Sequence, residues 1–394
     1  MRRYRRLVPP LAAAAAFGLA GAGIAAVPST AAPGPEDAVE ITVLCTNDFH
    51  GRLEADRDSA GAAVLAGAVN ELRADNPNTV FAAAGDLIGA STFTSFVQND
   101  DPTVEALNAA GLEVSAVGNH EFDQGYQDLL DRINGTAGRT KAEWQYLGAN
   151  VKVKDGEDYD ELAESWTVDF EDITVGFVGV VTEHLPSLVT PASIAMLDVL
   201  DPTEAANSAA ADLKTAGADV IVLLVHEGET TTSVDSATNP NSVFGRIVNG
   251  ASADIDAIVS GHTHLAYNHM IEVPEWDGRA VTERPVVSAG QYGMALNKID
   301  FTVDPEDGTV ETVVSEIVDL VDDESEEPNY PADDDVQAIV DEAVAEAEVV
   351  GAEPIGEITE DINRATQPGT DDQGNVVEVE NRGGESSLGN LVAD

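Results

Sequence analysis

From Ala38 onward, short runs of β-branched and apolar residues alternate with longer stretches rich in Ala and Leu. The apolar runs are Ile41–Thr46, Thr79–Ala83, Val114–Val117, Ile173–Val181, Ala218–Val225, Asp256–Ser260 and Pro285–Ser288. They are short for helices and rich in Val and Ile, so each predicts a buried strand. Between them, Gly61–Asn76, Pro102–Ala110, Gln124–Ile133, Pro202–Ala216 and Ser242–Ala251 predict helices. Strands separated by helices of this length form βαβ units, so the chain is expected to be α/β. No repeat of solenoid length interrupts the alternation.

Near Val321 the pattern changes. The stretch DDESEEPNYPADDD reads as a solvated linker carrying turn residues. Val336, Ile339, Val340, Ala343 and Ala347 then recur at helical spacing, and the helix they predict ends at Gly351. A polar, Gly-rich stretch leads into SSLGNLVAD, where Leu388 to Ala393 reads as the first turns of a helix. The expected organisation is a main domain over 38–320, an acidic linker and helix over 321–351, and the truncated start of a second domain over 352–394.

Charge narrows the function. Seventy-two Asp and Glu against 19 Lys and Arg give the 394-residue chain a formal charge of −53. Nucleic-acid polymers are disfavoured, because binding their backbone requires Lys and Arg to displace counterions. Adsorption to anionic headgroups is disfavoured for the same reason. Dense carboxylates suit solubility in high salt, where self-repulsion is screened. The first 32 residues read as a signal peptide. MRRYRRL is a basic n-region, Leu11 to Ala26 a small-residue apolar segment, and Ser29-Thr30-Ala31-Ala32 offers cleavage positions. Export to the extracellular space or cell surface is expected, without stable membrane insertion. Cys45 is the single cysteine, so no intrachain disulfide can form.

The chemistry sits where strands end. The first run closes on Asp48 and His50, the second on Asp86, and the third on Asn119 and His120. The run through Val225 closes on His226, and the one through Ser260 on His262 and His264. Singly, each reads as a helix cap, a turn residue or a core histidine. Together they differ, because the carboxyl ends of strands in an open α/β sheet face one crevice. Carboxylate, imidazole and amide oxygen are ligands of hard or borderline divalent metals. They are more numerous than one tetrahedral ion accepts, whereas two ions sharing a bridging carboxylate would use them. Glu121, Glu227 and Glu229 beside these motifs read as solvated or capping carboxylates.

DFHG (48–51), GD (85–86), GNHEFD (118–123), HEG (226–228) and GHTH (261–264), in this order, resemble the calcineurin-like metallophosphoesterases, and within them the secreted 5′-nucleotidase family. The likeness covers about residues 40–300, and NRGGESSLGNLVAD looks like the opening of that family's nucleotide-recognition domain. The resemblance implies a metallophosphoesterase sandwich of mixed sheets flanked by helices. It implies one divalent ion held by Asp48, His50 and His264, a second held by Asn119, His226 and His262, and Asp86 bridging both. Mn, Zn, Mg, Ca and Co all suit these ligands. His120 corresponds to the family's non-ligand histidine beside the substrate, Asp123 to its orienting partner, and Arg382 and Asn390 to substrate-binding positions. Cys45 departs from the family, which commonly has histidine there, but the position is not a ligand. The expected activity is hydrolysis of nucleoside 5′-monophosphates. The alternatives are 2′,3′-cyclic phosphodiesterase/3′-nucleotidase, UDP-sugar hydrolase, and a non-catalytic metal- or nucleotide-binding surface protein.

Overall fold

The computed structural model describes residues 38–393 apart from 323–324, 326, 355, 358–360, 371–374 and 382. The signal peptide expected over 1–32 and Arg382 therefore lie outside the described residues. Among the described residues no helix is long and apolar enough to cross a membrane.

Fourteen strands of the main body follow in order: β1 (Val39–Thr46), β2 (Thr79–Ala83), β3 (Val114–Ala116), β4 (Gln145–Leu147), β5 (Val151–Val153), β6 (Ser165–Phe170), β7 (Ile173–Val181), β8 (Leu197–Val199), β9 (Val220–His226), β10 (Ala257–Ser260), β11 (Ala266–Glu272), β12 (Glu283–Ala289), β13 (Ala295–Val303) and β14 (Val310–Asp319). Six of them make one sheet in the order β14-β13-β1-β2-β3-β4, and six make a second in the order β11-β12-β10-β9-β7-β6. The strands at the heart of each sheet run parallel: β1 with β2, β2 with β3, β7 with β9 and β9 with β10. The innermost of them are buried along their whole length, which is why β2 (TVFAA) and β9 (VIVLLVH) are nearly unbroken apolar runs. Antiparallel strands flank them, β13 and β14 on the first sheet and β6 and β11 on the second, while β4 ends the first sheet in parallel with β3.

The two sheets face each other across a core that includes Val43, Val80, Leu224, Val259, Ile299 and Phe301. Helices cover the outer faces. On the first sheet lie α1 (Ala62–Asp75), α2 (Asp101–Ala109) and α3 (Tyr126–Asn134), which bury Leu65, Val69, Leu107 and Leu129. On the second lie α4 (Pro202–Ala216) and α5 (Val243–Gly250), with Leu213, Phe244 and Ile247 buried. Asp201 caps α4 by accepting from Thr203 and Glu204 N–H, and Gly217 (φ 103°) ends it in the left-handed conformation. The result is a helix–sheet–sheet–helix sandwich, the mixed-sheet architecture that the motifs imply.

The α6 helix (Asp334–Gly351) buries Val336, Val340, Ala343 and Ala347 against the first helical layer, leaving Ile339 partly covered. Further on, a hairpin (Thr366–Thr370 with Val376–Glu380) and a short helix (Ser387–Ala393) are formed, and Asn390 is exposed on that helix.

Candidate metal centre

The parallel strands of both sheets discharge at one rim of the sandwich. From the first sheet come Asp48 and His50 after β1, Asp86 after β2 and Asn119 after β3. From the second come His226 at the end of β9, and His262 and His264 after β10. The chain turns sharply to deliver them. Asp48, His50, Asp86, His262 and His264 all have positive φ, between 49° and 74°, which costs an L-residue roughly 1–3 kcal/mol. Such strain persists only where surrounding contacts enforce it. Here Asp48 and His50 N–H donate to the carbonyls of Gly85 and Asp86, tying the β1 and β2 turns together. Gly118 permits the closest approach, because a Cβ there would lie 2.1 Å from Asp86 Oδ1.

The side chains form three overlapping groups whose ligand atoms lie within 4.8 Å of one another: Asp48/His50/His264, Asp86/His226/His262 and His50/Asp86/His120. His50 Nε2 and His264 Nε2 stand 3.2 Å apart, and His264 Nε2 is 3.3 Å from Asp48 Oδ1. Asp86 Oδ2 is 2.9 Å from His226 Nε2 and 3.8 Å from His50 Nε2, so this oxygen lies between the two halves of the cluster. Asn119 Oδ1 is buried with no hydrogen-bond partner.

The tautomers sharpen the picture. His50 Nδ1 lies 2.8 Å from Gly89 O and His226 Nδ1 lies 2.7 Å from Ala84 O. Each therefore donates from Nδ1, leaving an Nε2 lone pair aimed inward. His264 Nδ1 lies 2.5 Å from Gln291 Oε1 and is arranged in the same way. Inward lone pairs beside buried carboxylates require a cation or a proton between them. An all-N/O donor set with an orphaned amide oxygen fits a hard or borderline divalent ion. In the chain alone, burial would lower His226, but the adjacent Asp86 overrides it and raises His226 to about 10. Burial would raise Asp86, yet His226 holds its carboxyl well below the usual carboxylate range. The proton shared by this pair is what a cation would replace.

His120 sits at the edge of the cluster. Its Nδ1 is 2.7 Å from Asp123 Oδ2, and its backbone N–H donates to Asp86 Oδ1 at 2.8 Å. The hydrogen bond to Asp123 raises its pKa above the ordinary histidine value.

Of the two roles expected for Glu121, solvated or capping, the structure has the second. It is 1% exposed rather than solvated. Its carboxylate accepts from the N–H groups of Asp86 (2.9 Å), Leu87 (2.8 Å) and Gly118 (2.6 Å), clamping the turn after β2 to the turn after β3. The 3₁₀ turn His120–Phe122 swings it inward, which residue type alone does not reveal. Glu227 and Glu229 are also buried rather than solvated; Glu227 accepts from Thr182 Oγ1 at 2.6 Å. Gln291 and Tyr292, absent from the sequence reading, follow β12 at the same rim, so the strand-end rule extended by one strand would have found them. No described contact joins Asn390 to the cluster; its side chain reaches Glu385 at 3.4 Å.

A two-sheet sandwich with an N/O ligand cluster at one rim defines a metallophosphoesterase. Residues 41–266 match the family model for calcineurin-like phosphoesterase, and the chain belongs to that family of metal-dependent phosphoric ester hydrolases. It is 30% identical over 382 residues to Endonuclease YhcR of Bacillus subtilis, covering 91% of this chain and 28% of that protein. It is 30% identical over 266 residues to a 5′-nucleotidase of Vibrio vulnificus, covering 66% of this chain and 46% of that one. The chain thus spans less than half the length of either relative. The fold is similar to that of a 5′-nucleotidase precursor from Thermus thermophilus, with a TM-score of 0.64 at 21% identity over 81% of this chain and 61% of that one.

Proposed function

We propose that the chain is an exported two-metal phosphoesterase that hydrolyses nucleoside 5′-monophosphates or related nucleotides to nucleoside and phosphate. One observation carries the reading: an oriented, half-exposed His120–Asp123 pair stands beside a buried cluster suited to two divalent ions. Asp48, His50 and His264 would hold the first ion, Asn119, His226 and His262 the second, with Asp86 shared. Such ions, when bound, activate water and offset the charge on the phosphoryl oxygens.

The remaining work falls to this chain's own groups. Asp123 Oδ2 keeps the His120 Nδ1 proton, which leaves Nε2 free to protonate the departing oxygen. Phe122, fully buried, anchors the turn that carries both. Glu121 holds the Asp86 and Asn119 turns in register. Arg382 and Asn390 are proposed to reach the nucleotide, by their likeness to the family's second domain. The endonuclease activity in the name of YhcR belongs to a protein of which this chain spans 28%, and a charge of −53 disfavours a polymeric substrate here.

The test is phosphate release, with defined divalent metals, from AMP, ATP, a 2′,3′-cyclic nucleotide, a UDP-sugar and bis-p-nitrophenyl phosphate. AMP is expected to lead. Turnover led by the cyclic nucleotide or the UDP-sugar would move the substrate class, and inactivity on all five with two ions bound would favour a binding protein.

A further inference from the structure

The three candidate ligand histidines whose Nδ1 atoms are anchored differ in what anchors them. His50 and His226 are held by main-chain carbonyls, Gly89 O and Ala84 O, which come with the fold. His264 is held by a side chain, through Gln291 Oε1. That acceptor is itself tied to the β1 turn. Asn47 Nδ2 donates to Gly290 O at 2.6 Å, Ala289 N–H donates to Asn47 Oδ1 at 2.9 Å, and Tyr292 N–H donates to Asp48 O at 2.8 Å. Ser59 Oγ donates to Tyr292 O, and Arg52 lies 3.9 Å over the Tyr292 ring. Gln291 is therefore bracketed by two residues bonded to the Asn47–Asp48 segment, and Tyr292 takes a positive φ of 58° to stay there.

We infer that Gln291 is a positioning residue: by accepting the Nδ1 proton of His264 it keeps Nε2 as the inward donor and sets how tightly the Asp48/His50/His264 group binds a divalent ion. The inference rests on the ligand assignment proposed above. Without the acceptor, His264 is free to carry its proton on Nε2, which would then point at His50 Nε2 and Asp48 Oδ1 and block coordination. Outer partners of metal-bound histidines typically govern 10–100-fold in affinity. Gln291 accepts without adding charge, and a carboxylate there would strengthen the donor.

The test compares wild-type protein with Q291L and Q291E by titrating Mn²⁺ or Zn²⁺ against a chelating dye, alongside ¹⁵N spectra of the metal-free histidines with H264Q used for assignment. Q291L should weaken one of two ions about 10–100-fold and spare the other, while Q291E should bind that ion at least as tightly as wild type. His264 Nδ1 should be protonated in wild type and Q291E, and partly unprotonated in Q291L. Wild-type affinity for both ions in Q291L, or equal weakening in both variants, would overturn the inference, the latter by marking a packing role. If wild-type protein takes up no ion, the ligand assignment falls; the Gln291 inference then stands or falls on whether the His264 tautomer changes in Q291L.

Discussion

Replacing His120 by Asn tests the division of labour in GNHEFD. Asp123 holds the imidazole at 2.7 Å through Nδ1, so the nitrogen left over is Nε2, and the side chain is 31% exposed where a leaving group can reach it. A general acid so placed contributes about 10²–10⁴-fold, or roughly 2.7–5.5 kcal/mol of barrier. That contribution depends on how badly the leaving group needs a proton. The 5′-alkoxide of AMP needs one, whereas p-nitrophenolate departs unaided. His120→Asn should therefore lower kcat for AMP by about 10²–10⁴-fold and kcat for p-nitrophenyl phosphate by less than about 10-fold. Metal content should stay at the wild-type value. This last reading matters because His120 also lies within 4.8 Å of the ligand atoms of His50 and Asp86. Equal losses on both substrates together with loss of an ion would make His120 a ligand and refute its role as the acid; undiminished AMP turnover would remove it from the mechanism.

Three further outcomes follow from the same geometry. Asp123→Asn should cost AMP turnover about 10-fold, and the Asp123→Asn/His120→Asn double variant should be no slower than His120→Asn alone, because the pair acts as one unit; additive losses would separate them. Asp86→Ala should empty both ion sites together, since Asp86 Oδ2 lies between His226 and His50, and elemental analysis showing one ion fully retained would contradict a shared carboxylate. At the far end of β10, burial raises Asp256 from 3.8 to about 6 against the pull of the Ile221 N–H, Lys214, Arg284 and Arg279. With the folded value above the unfolded one, the stability this carboxyl contributes is complete below about pH 4 and lost as pH rises through 6. Asp256→Asn should match wild type in urea unfolding near about pH 4 and exceed it near about pH 7.5, by up to about 3 kcal/mol; no gain at the higher pH would sink this account.

The buried parallel strands were legible because burial on both faces writes itself as an unbroken apolar run, as in Thr79–Ala83 and Ile173–Val181, where the expected and observed limits coincide. The margin strands were not. β6 (SWTVDF) and β14 (VETVVSEIVD) interleave exposed residues with partly buried ones, and β13 takes its second partner, β1, from the opposite end of the main body. The apolar pattern by itself therefore left one open crevice, whereas the resemblance implied the sandwich of mixed sheets that is formed. The metal-ligand candidates were legible because each ends a strand, a position fixed by topology. Glu121 and Gln291 were not, because their roles depend on the direction of a side chain after a turn. Glu121 points back at three buried N–H groups only once the His120–Phe122 turn has formed. Gln291 needed β12 to be followed to the same rim as β1.

The central claim is that this rim hydrolyses a nucleotide phosphoester with two divalent ions. Its most direct measurement is phosphate release from AMP by chelator-stripped protein as Mn²⁺ is returned in known ratio to the chain. The account predicts no release without metal and a rise that saturates at two ions per chain. Two ions bound with no phosphate released, or full activity in the stripped protein, would contradict it.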